Sequence, residues 1–191
     1  VYCTLVEPVS GKVVLILGAG PTGLFATAVA KVSGAAYIIV SDINDTRLGI
    51  AKRLGADRVV NPYKENLELT VNEVTNGTGA DVVLEMAGVE QTIKDGLKLV
   101  RRGGRFCAFG LPNKSIEIDW NNDIIFKGVT LYGINGRLMF DTWVKVRNFL
   151  RFKKLDTSPV ITHKFKLVEF EEAFKVLLKE PRTAGKVELF P

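Results

Sequence analysis

The amino-acid sequence predicts an α/β fold in which a doubly wound, parallel six-stranded sheet carries helices on both faces. Short apolar runs rich in β-branched residues alternate with longer amphipathic stretches, and this alternation is typical of βαβ units. The run from Val13 to Leu17 is apolar throughout, as expected for a strand that helices cover on both sides. A length of 191 residues suits one domain and part of another, since a domain has roughly 150 residues.

The elements of the sheet follow from this alternation. Strands are expected at Val13 to Leu17, Tyr37 to Val40, Arg58 to Val60, Asp81 to Glu85, Gly104 to Phe109 and Val129 to Tyr132. Helices are expected at about Pro21 to Ser33, Asn44 to Leu54, Glu65 to Thr75 and Glu90 to Val100. Four glycines stand where helices are expected to stop, as left-handed caps: Gly55, Gly77, Gly79 and Gly103.

The regular βαβ order ends after Tyr132. The next expected elements are a helix from Leu138 to about Phe152, a strand from Pro159 to Lys164, a helix from about Leu167 to Leu178 and a strand from Lys186 to Phe190. We expect residues 1–157 to form the main domain. Residues 158–191 are expected to be a C-terminal tail that packs on a second domain, largely missing from these 191 residues.

Composition excludes several classes of protein. The chain is 47% hydrophobic and 25% charged, with 18 Gly and 7 Pro, which argues against disorder, collagen and a coiled coil. The net charge of +5 comes from scattered residues, so no nucleic-acid surface is expected. No apolar run is long enough to cross a membrane, and we expect a cytoplasmic protein. Two distant cysteines and one histidine predict no metal site within the chain.

A glycine-rich motif directly follows the first strand. Gly18-Ala19-Gly20-Pro21-Thr22-Gly23 has the glycine spacing of a Rossmann-type dinucleotide site. Gly18 permits the tight turn, Gly20 lets the backbone approach a pyrophosphate, and Gly23 allows close helix–strand packing. Pro21 suits the first helical turn, where its missing N–H would be unpaired anyway. The pyrophosphate is expected at the helix N-terminus, where N–H groups and the helix dipole favour an anion.

An acid stands where such sites hold the adenosine ribose. Asp42 ends the second strand, 19 residues after Gly23, and its carboxylate can accept hydrogen bonds from both ribose hydroxyls. Its charge would repel the 2′-phosphate of NADP, so the sequence favours NAD as cofactor. Arg47 follows in the next helix. Two interpretations of Arg47 stay open, as a residue along the adenine face or as a solvated helix residue.

Further candidates lie at the carboxyl edge of the sheet, where ligands bind in such folds. Glu85 ends the fourth strand, and Ala87 and Gly88 after it are small enough to let a ring pass; an ordinary turn is the equal alternative. The backbone of Phe109-Gly110-Leu111, at the end of the fifth strand, could meet a nicotinamide amide group. Cys107 is expected in the core, and His163 is expected to have a structural role.

The chain resembles the zinc-dependent medium-chain dehydrogenase/reductase family and, within it, the L-threonine 3-dehydrogenases. The resemblance covers almost the whole chain. Its general part consists of Glu-Pro-Val-Ser-Gly-Lys at 7–12, the glycine motif and Asp-Val-Val-Leu-Glu-Met-Ala-Gly at 81–88. Its more specific part consists of Ile118-Asp119-Trp120, Ile125-Phe126-Lys127-Gly128, Tyr132-Gly133-Ile134-Asn135-Gly136-Arg137, Met139-Phe140-Asp141-Thr142-Trp143 and Ser158-Pro159-Val160-Ile161-Thr162-His163.

The resemblance implies oxidation of the hydroxyl of L-threonine by hydride transfer to NAD, which gives 2-amino-3-oxobutanoate. It implies NAD contacts from Thr22 in the glycine loop and from Asp42 and Arg47 at the adenosine end. Near the nicotinamide it implies contacts from Phe109, Gly110, Leu111, Ile134 and Asn135. Asn135 falls where the family tolerates different residues.

The resemblance also implies zinc outside this chain. In the family a separate N-terminal domain supplies the Cys, His and Glu ligands of a catalytic zinc, which acts as a Lewis acid on the alkoxide, together with the proton relay and a structural zinc site. We therefore expect no catalytic residue here, and a chain that binds NAD without oxidising threonine by itself. Another zinc-type polyol or alcohol dehydrogenase is the alternative within the family.

Two other classes of function stay open on the residues. One is a stand-alone module in which NAD occupancy controls a partner. The other is a methyltransferase-like fold that binds S-adenosylmethionine through a similar glycine loop and acid. We also expect a homo-oligomer, because the segment from Thr130 to Ile134 should form an uncovered apolar strand at one edge of the sheet.

Overall fold

The computed structural model describes residues 1–179 and 184–191. Its main sheet has six parallel strands in the order β3-β2-β1-β4-β5-β6, which confirms the predicted doubly wound arrangement. The strands are β1 (Val13–Leu17), β2 (Tyr37–Ser41), β3 (Arg58–Val60), β4 (Ala80–Glu85), β5 (Val100–Ala108) and β6 (Thr130–Gly133). The strand order reverses between β1 and β4, which lie side by side.

Helices α2 (Pro21–Val32), α3 (Asp45–Arg53), α4 (Leu67–Thr75) and α5 (Glu90–Leu99) connect the first five strands of this sheet. Helix α1 (Tyr2–Leu5) precedes β1, and α6 (Asp141–Arg151) follows β6. A π-helical segment at Trp120–Ile125 precedes β6. Within the described part of the chain, every helix is too short or too polar to cross a membrane.

The tail forms a small unit of its own. Strands β7 (Ile161–Lys166) and β8 (Lys186–Phe190) pair in parallel, and α7 (Phe170–Leu178) lies between them in the chain. His163 lies on β7, where its ring stacks on Phe165. These elements agree with the predicted ones to within a few residues.

Two glycines predicted as helix caps have another role. Gly103 lies within β5, which begins at Val100 directly after α5, and its N–H donates to the carbonyl of Lys127 at 2.7 Å. Gly79 directly precedes β4, whereas α4 ends at Thr75 and its C-cap residue is Asn76, which has a left-handed conformation. The prediction was wrong because a glycine with positive φ also serves an irregular strand or a turn.

Two apolar layers cover the faces of the sheet. Successive side chains of a strand point to opposite faces, and the fully apolar β1 contributes to both layers. Val14 and Ile16 pack with one group of buried residues, which includes Leu24, Val29, Ile50, Leu84 and Cys107. Leu15 and Leu17 pack with another, which includes Val71, Val83, Leu97 and Phe106. Burial of Cys107 in the core confirms its prediction.

Side chains of β5 and β6 hold the segment before β1 at the β6 edge of the sheet. The Tyr132 hydroxyl on β6 donates to the Glu7 carboxylate, and this bond lowers the pKa of Glu7 and raises the pKa of Tyr132. Arg105 on β5 is buried and lies 3.5 Å from the other oxygen of Glu7. The sheet therefore holds the start of the chain at the side opposite β3.

Candidate dinucleotide site

The candidate site lies where the strand order reverses. Leu17, the last residue of β1, pairs with Ser41 of β2 on one side and with Glu85 of β4 on the other. The carboxyl ends of these three strands therefore open into one crevice. In doubly wound folds this topological switch point is where ligands bind.

The glycine loop connects β1 to α2 at this point. Gly18 has a φ of +99°, and its N–H donates to the carbonyl of Ser41 at 2.8 Å. A Cβ on Gly23 would overlap the carbonyl oxygen of Gly18, whereas a Cβ on Gly20 would have no atom within 4 Å. The loop is thus closed on its inner side at Gly23 and open to solvent at Gly20. This difference agrees with the separate tasks predicted for the two glycines.

The N-terminus of α2 faces the crevice without a cap. Gly20 is the N-cap residue, Pro21 is the first helical residue, and no side chain caps the N–H groups of the first turn. Thr22 in that turn is exposed. Because the first N–H groups of a helix have no partner within the helix, they are free to bind an anion here.

Asp42 is tied to the backbone on both sides. One carboxylate oxygen accepts the N–H of Ala19 in the glycine loop at 2.6 Å, and the other accepts the N–H of Asn44 at 2.8 Å. The side chain is half-buried. Asp42 therefore fixes the glycine loop against the start of α3, a role that the ribose-binding motif alone did not predict.

Arg47 lies in the first turn of α3. Its N–H donates to the side chain of Asn44, which caps the helix. Its side chain is half-buried, and the guanidinium Nε is buried with no hydrogen-bond partner. A fully solvated side chain would expose that nitrogen, whereas Arg47 is half-buried; its contact with the adenosine end of a cofactor stays a prediction.

The residues predicted near a nicotinamide lie on two adjoining loops and on the segment directly after the edge strand β6. Ala87 and Leu111 are exposed, Phe109 and Gly110 are half-buried, and Asn135 is exposed. Ile134 is 6% exposed and packs in the core. Its N–H donates to the carbonyl of Ala108 at 2.9 Å. The side chain of Ile134 is therefore not accessible to a ligand, and only its backbone can contact one.

From the sequence, Glu85 was only a candidate without an assigned role, and Thr92 was not predicted. One oxygen of the buried Glu85 carboxylate accepts the N–H groups of Ala87 at 3.0 Å and Gly88 at 2.9 Å. The same oxygen accepts the hydroxyl of Thr92 on α5 at 2.8 Å. An acid at the end of a buried strand, followed by a hydroxyl residue seven positions later, was the available signal.

A cleft of about 560 Å³ adjoins these loops and is lined in part by Gly88, Glu90, Lys94, Leu111 and Lys114. The Lys114 ammonium lies 2.9 Å from one oxygen of Glu90 and the Lys94 ammonium 2.9 Å from the other. These hydrogen bonds lower the pKa of Glu90 to about 2. The wall of the cleft thus carries one carboxylate between two cations.

Within residues 1–179 and 184–191, no three or more His, Cys, Asp or Glu side chains come together in a group that could hold a metal ion.

Comparisons with known proteins agree with this geometry. Residues 21–151 match a family model described as a zinc-binding dehydrogenase. The chain is 47% identical over 184 residues to an L-threonine 3-dehydrogenase of Pyrococcus horikoshii, which covers 96% of this chain and 52% of the relative. It is 43% identical over 191 residues to an L-threonine 3-dehydrogenase of Bacillus licheniformis, which covers 100% and 55%. The chain spans about half the length of these curated relatives.

The fold is also similar to a solved structure. An alcohol dehydrogenase from Thermus sp. ATN1 superposes with a TM-score of 0.89 at 31% identity, over 98% of this chain and 55% of that one.

We predict opposite outcomes for alanine at two glycines of the loop. Gly23→Ala should lower the free energy of unfolding by about 1–3 kcal/mol, because its Cβ would overlap the carbonyl of Gly18 and force a backbone shift. Gly20→Ala, the matched control, should change it by less than about 0.5 kcal/mol, because its Cβ meets open space. Urea unfolding followed by circular dichroism measures both. Equal stability of the two variants would contradict the close packing described here.

Proposed function

The chain belongs to the family of zinc-binding dehydrogenases, and from this membership we propose that it is the NAD-binding part of an oxidoreductase that transfers a hydride from a secondary alcohol to NAD. We propose L-threonine as the alcohol and 2-amino-3-oxobutanoate as the product, because both curated relatives described above are named L-threonine 3-dehydrogenase. Another polyol or alcohol dehydrogenase is the alternative. These names favour an oxidoreductase over an NAD-sensing module or a methyltransferase.

The observation that carries the proposal is the attachment of Asp42 to the glycine loop. The hydrogen bond from Ala19 holds the carboxylate beside the open backbone at Gly20 and the uncapped end of α2. A carboxylate suits ribose hydroxyls, and a helix N-terminus suits a pyrophosphate. NAD offers both groups in one molecule, so the residues fit this cofactor.

Each part of the crevice has a proposed share in binding. The pyrophosphate would lie against the glycine loop, at Gly18, Gly20, Pro21, Thr22 and Gly23. Asp42 and Arg47 would hold the adenosine end. Ala87, Phe109, Gly110, Leu111, Ile134 and Asn135 would hold the nicotinamide end. When bound, NAD supplies the carbon that accepts the hydride, and the residues of this chain bind and orient it.

Zinc does not fit the described residues, since none of their carboxylate, thiol and imidazole groups form a metal-binding set. The relatives are about twice as long as the matched region. We propose that the groups that bind zinc and move the proton belong to further sequence of the full-length enzyme.

We propose a division of the chain into a nucleotide-binding domain, residues 1–157, and a segment, residues 158–191, that packs on the rest of the enzyme. Val160 is fully buried in the core of the main sheet and anchors the start of the segment. Beyond it, large apolar side chains are exposed: Leu167, Val168, Phe170, Phe174 and Leu178. An apolar surface of this kind suits an interface with another domain.

A cytoplasmic location belongs to the same proposal. Both cysteines of the chain, Cys3 and Cys107, are free and buried. Free thiols suit a reducing compartment.

We predict that the chain binds NAD at least about tenfold more tightly than NADP, a difference of roughly 1.4 kcal/mol or more. The charge of Asp42 beside the ribose would repel the 2′-phosphate. Asp42→Asn should weaken NAD binding and reduce the preference over NADP. Titration calorimetry with NAD, NADP and S-adenosylmethionine measures these affinities.

The matched control is Asp45→Asn. Asp45 is an exposed carboxylate three residues away that pairs with Lys64 and Asn61 instead of the glycine loop. The Asp45→Asn variant should have the same affinities for NAD and NADP as the wild-type chain. Heat of binding with S-adenosylmethionine but not with NAD would contradict the dehydrogenase proposal.

We also propose that the chain forms a dimer through β6. This strand lies at the edge of the sheet, and Leu131 on it is 46% exposed. Ile134 donates its N–H to β5, so by alternation along a strand the N–H of Leu131 points away from the sheet. An unpaired edge of this kind can pair with a second copy.

Leu131→Pro removes that outward N–H without removing a bond to β5, and proline is tolerated on edge strands. We predict a dimer for the wild-type chain and a dimer dissociation constant at least about tenfold higher for Leu131→Pro. Leu131→Ala, which keeps the N–H, should remain closer to wild type. Light scattering over a concentration series tests this. A wild-type chain that stays monomeric at high micromolar concentration would rule the dimer out.

A further inference from the structure

Glu85 is a fully buried acid at the centre of the main sheet. It ends β4 and pairs with Leu17 of β1 and Ala108 of β5, and its exposed fraction is 0%. Burial of a carboxyl group costs free energy unless hydrogen bonds compensate. Apolar packing therefore does not explain why an acid occupies this position.

The hydrogen bonds of Glu85 join two loops. Its side-chain Oε1 accepts the N–H groups of Ala87 and Gly88 in the turn after β4. Its main-chain carbonyl accepts the N–H groups of Phe109 at 3.0 Å and Gly110 at 3.1 Å in the loop after β5. One residue thus fixes both segments that the proposed function places at the nicotinamide end.

The two loops cross with their backbones in contact. A Cβ on Gly88 would lie 2.7 Å from the backbone N and O of Leu111. A Cβ on Gly110 would lie 2.6 Å from the Cα of Gly88 and 2.5 Å from Glu85 Oε2. Glu85 Oε2 is buried and has no hydrogen-bond partner. The Glu85 carboxylate therefore lies directly beneath the crossing, where it both holds the turn and supports Gly110.

We propose that Glu85 is a positioning residue that sets the spacing between Ala87–Gly88 and Phe109–Leu111, and thereby the affinity of the site for the nicotinamide end of the cofactor. The inference rests on the proposed function, which assigns these two segments to that end. Glu85 acts through the backbones above it, because its own side chain is enclosed. Thr92 holds the same carboxylate oxygen from α5 and supports the arrangement.

The test compares two ligands that differ only at the nicotinamide end. ADP-ribose has the adenosine, pyrophosphate and second ribose of NAD but no nicotinamide. Glu85→Gln keeps the size of the side chain, but its NH₂ group would lack an acceptor beneath Gly110, and its oxygen is a weaker acceptor for three donors. We expect NAD affinity to fall at least about tenfold and ADP-ribose affinity to change by less than about twofold, as measured by titration calorimetry.

A second variant and a control keep the test decisive. Thr92→Val removes one donor to the carboxylate while keeping side-chain shape, and it should reduce NAD affinity selectively by a smaller factor, even where Glu85→Gln fails to fold. The control is Asp81→Asn at the opposite end of β4, where the carboxylate accepts the N–H of Val13 at 2.7 Å and pairs with Arg101. It should leave the ratio of the NAD and ADP-ribose affinities at the wild-type value.

The possible results separate this inference from the proposed function. A wild-type chain that binds neither ligand contradicts the proposed function itself. Two results contradict the positioning role of Glu85: an equal loss of NAD and ADP-ribose affinity in Glu85→Gln and Thr92→Val, or no loss of affinity in either variant. Neither result contradicts the proposed NAD-binding function. Equal wild-type affinities for NAD and ADP-ribose also contradict it, because the loops would then add no affinity for the nicotinamide.

Discussion

The close approach of α2 to the end of β1 is the constraint on which the candidate site depends. A Cβ on Gly23 would overlap the Gly18 carbonyl, so the helix can begin against the strand only where a side chain is absent. This contact aims the uncapped N-terminus of α2 into the crevice, where its N–H groups and dipole favour an anion. The weak net charge of +5 is secondary, because the proposed anion site consists of backbone N–H groups.

Two carboxylates hold the loops of the site at the ends of the neighbouring strands β2 and β4. Asp42 at the end of β2 hydrogen-bonds to the glycine loop, and Glu85 at the end of β4 hydrogen-bonds to the turn beyond it. Each acid thus fixes the loop that follows or adjoins its strand at the carboxyl edge of the sheet. In the proposed function Asp42 contacts the cofactor directly, whereas Glu85 supports the backbone that does.

The sheet, the helices and the glycine loop were predictable because each depends on local pattern. Alternating apolar runs predicted all six strands, and the motif predicted the close helix–strand packing at Gly23. The role of Gly103 was not predictable, because positive φ in an irregular strand and at a helix cap has the same sequence signature. The main-chain hydrogen bonds of Glu85 with Phe109 and Gly110 depend on β4 lying beside β5, and such long-range neighbours have no local signal. Burial of Ile134 likewise became visible only in the folded sheet.

The most direct test of the central claim is a two-dimensional NMR titration of the isotope-labelled chain with NAD. Backbone amide shifts should concentrate in three places: the glycine loop from Ala19 to Gly23, the end of β2 from Ser41 to Asn44, and the crossing of Ala87–Gly88 with Gly110–Leu111. The β7–β8 unit should stay unchanged. Shifts centred on that unit, or none in the glycine loop at saturating NAD, would contradict the account.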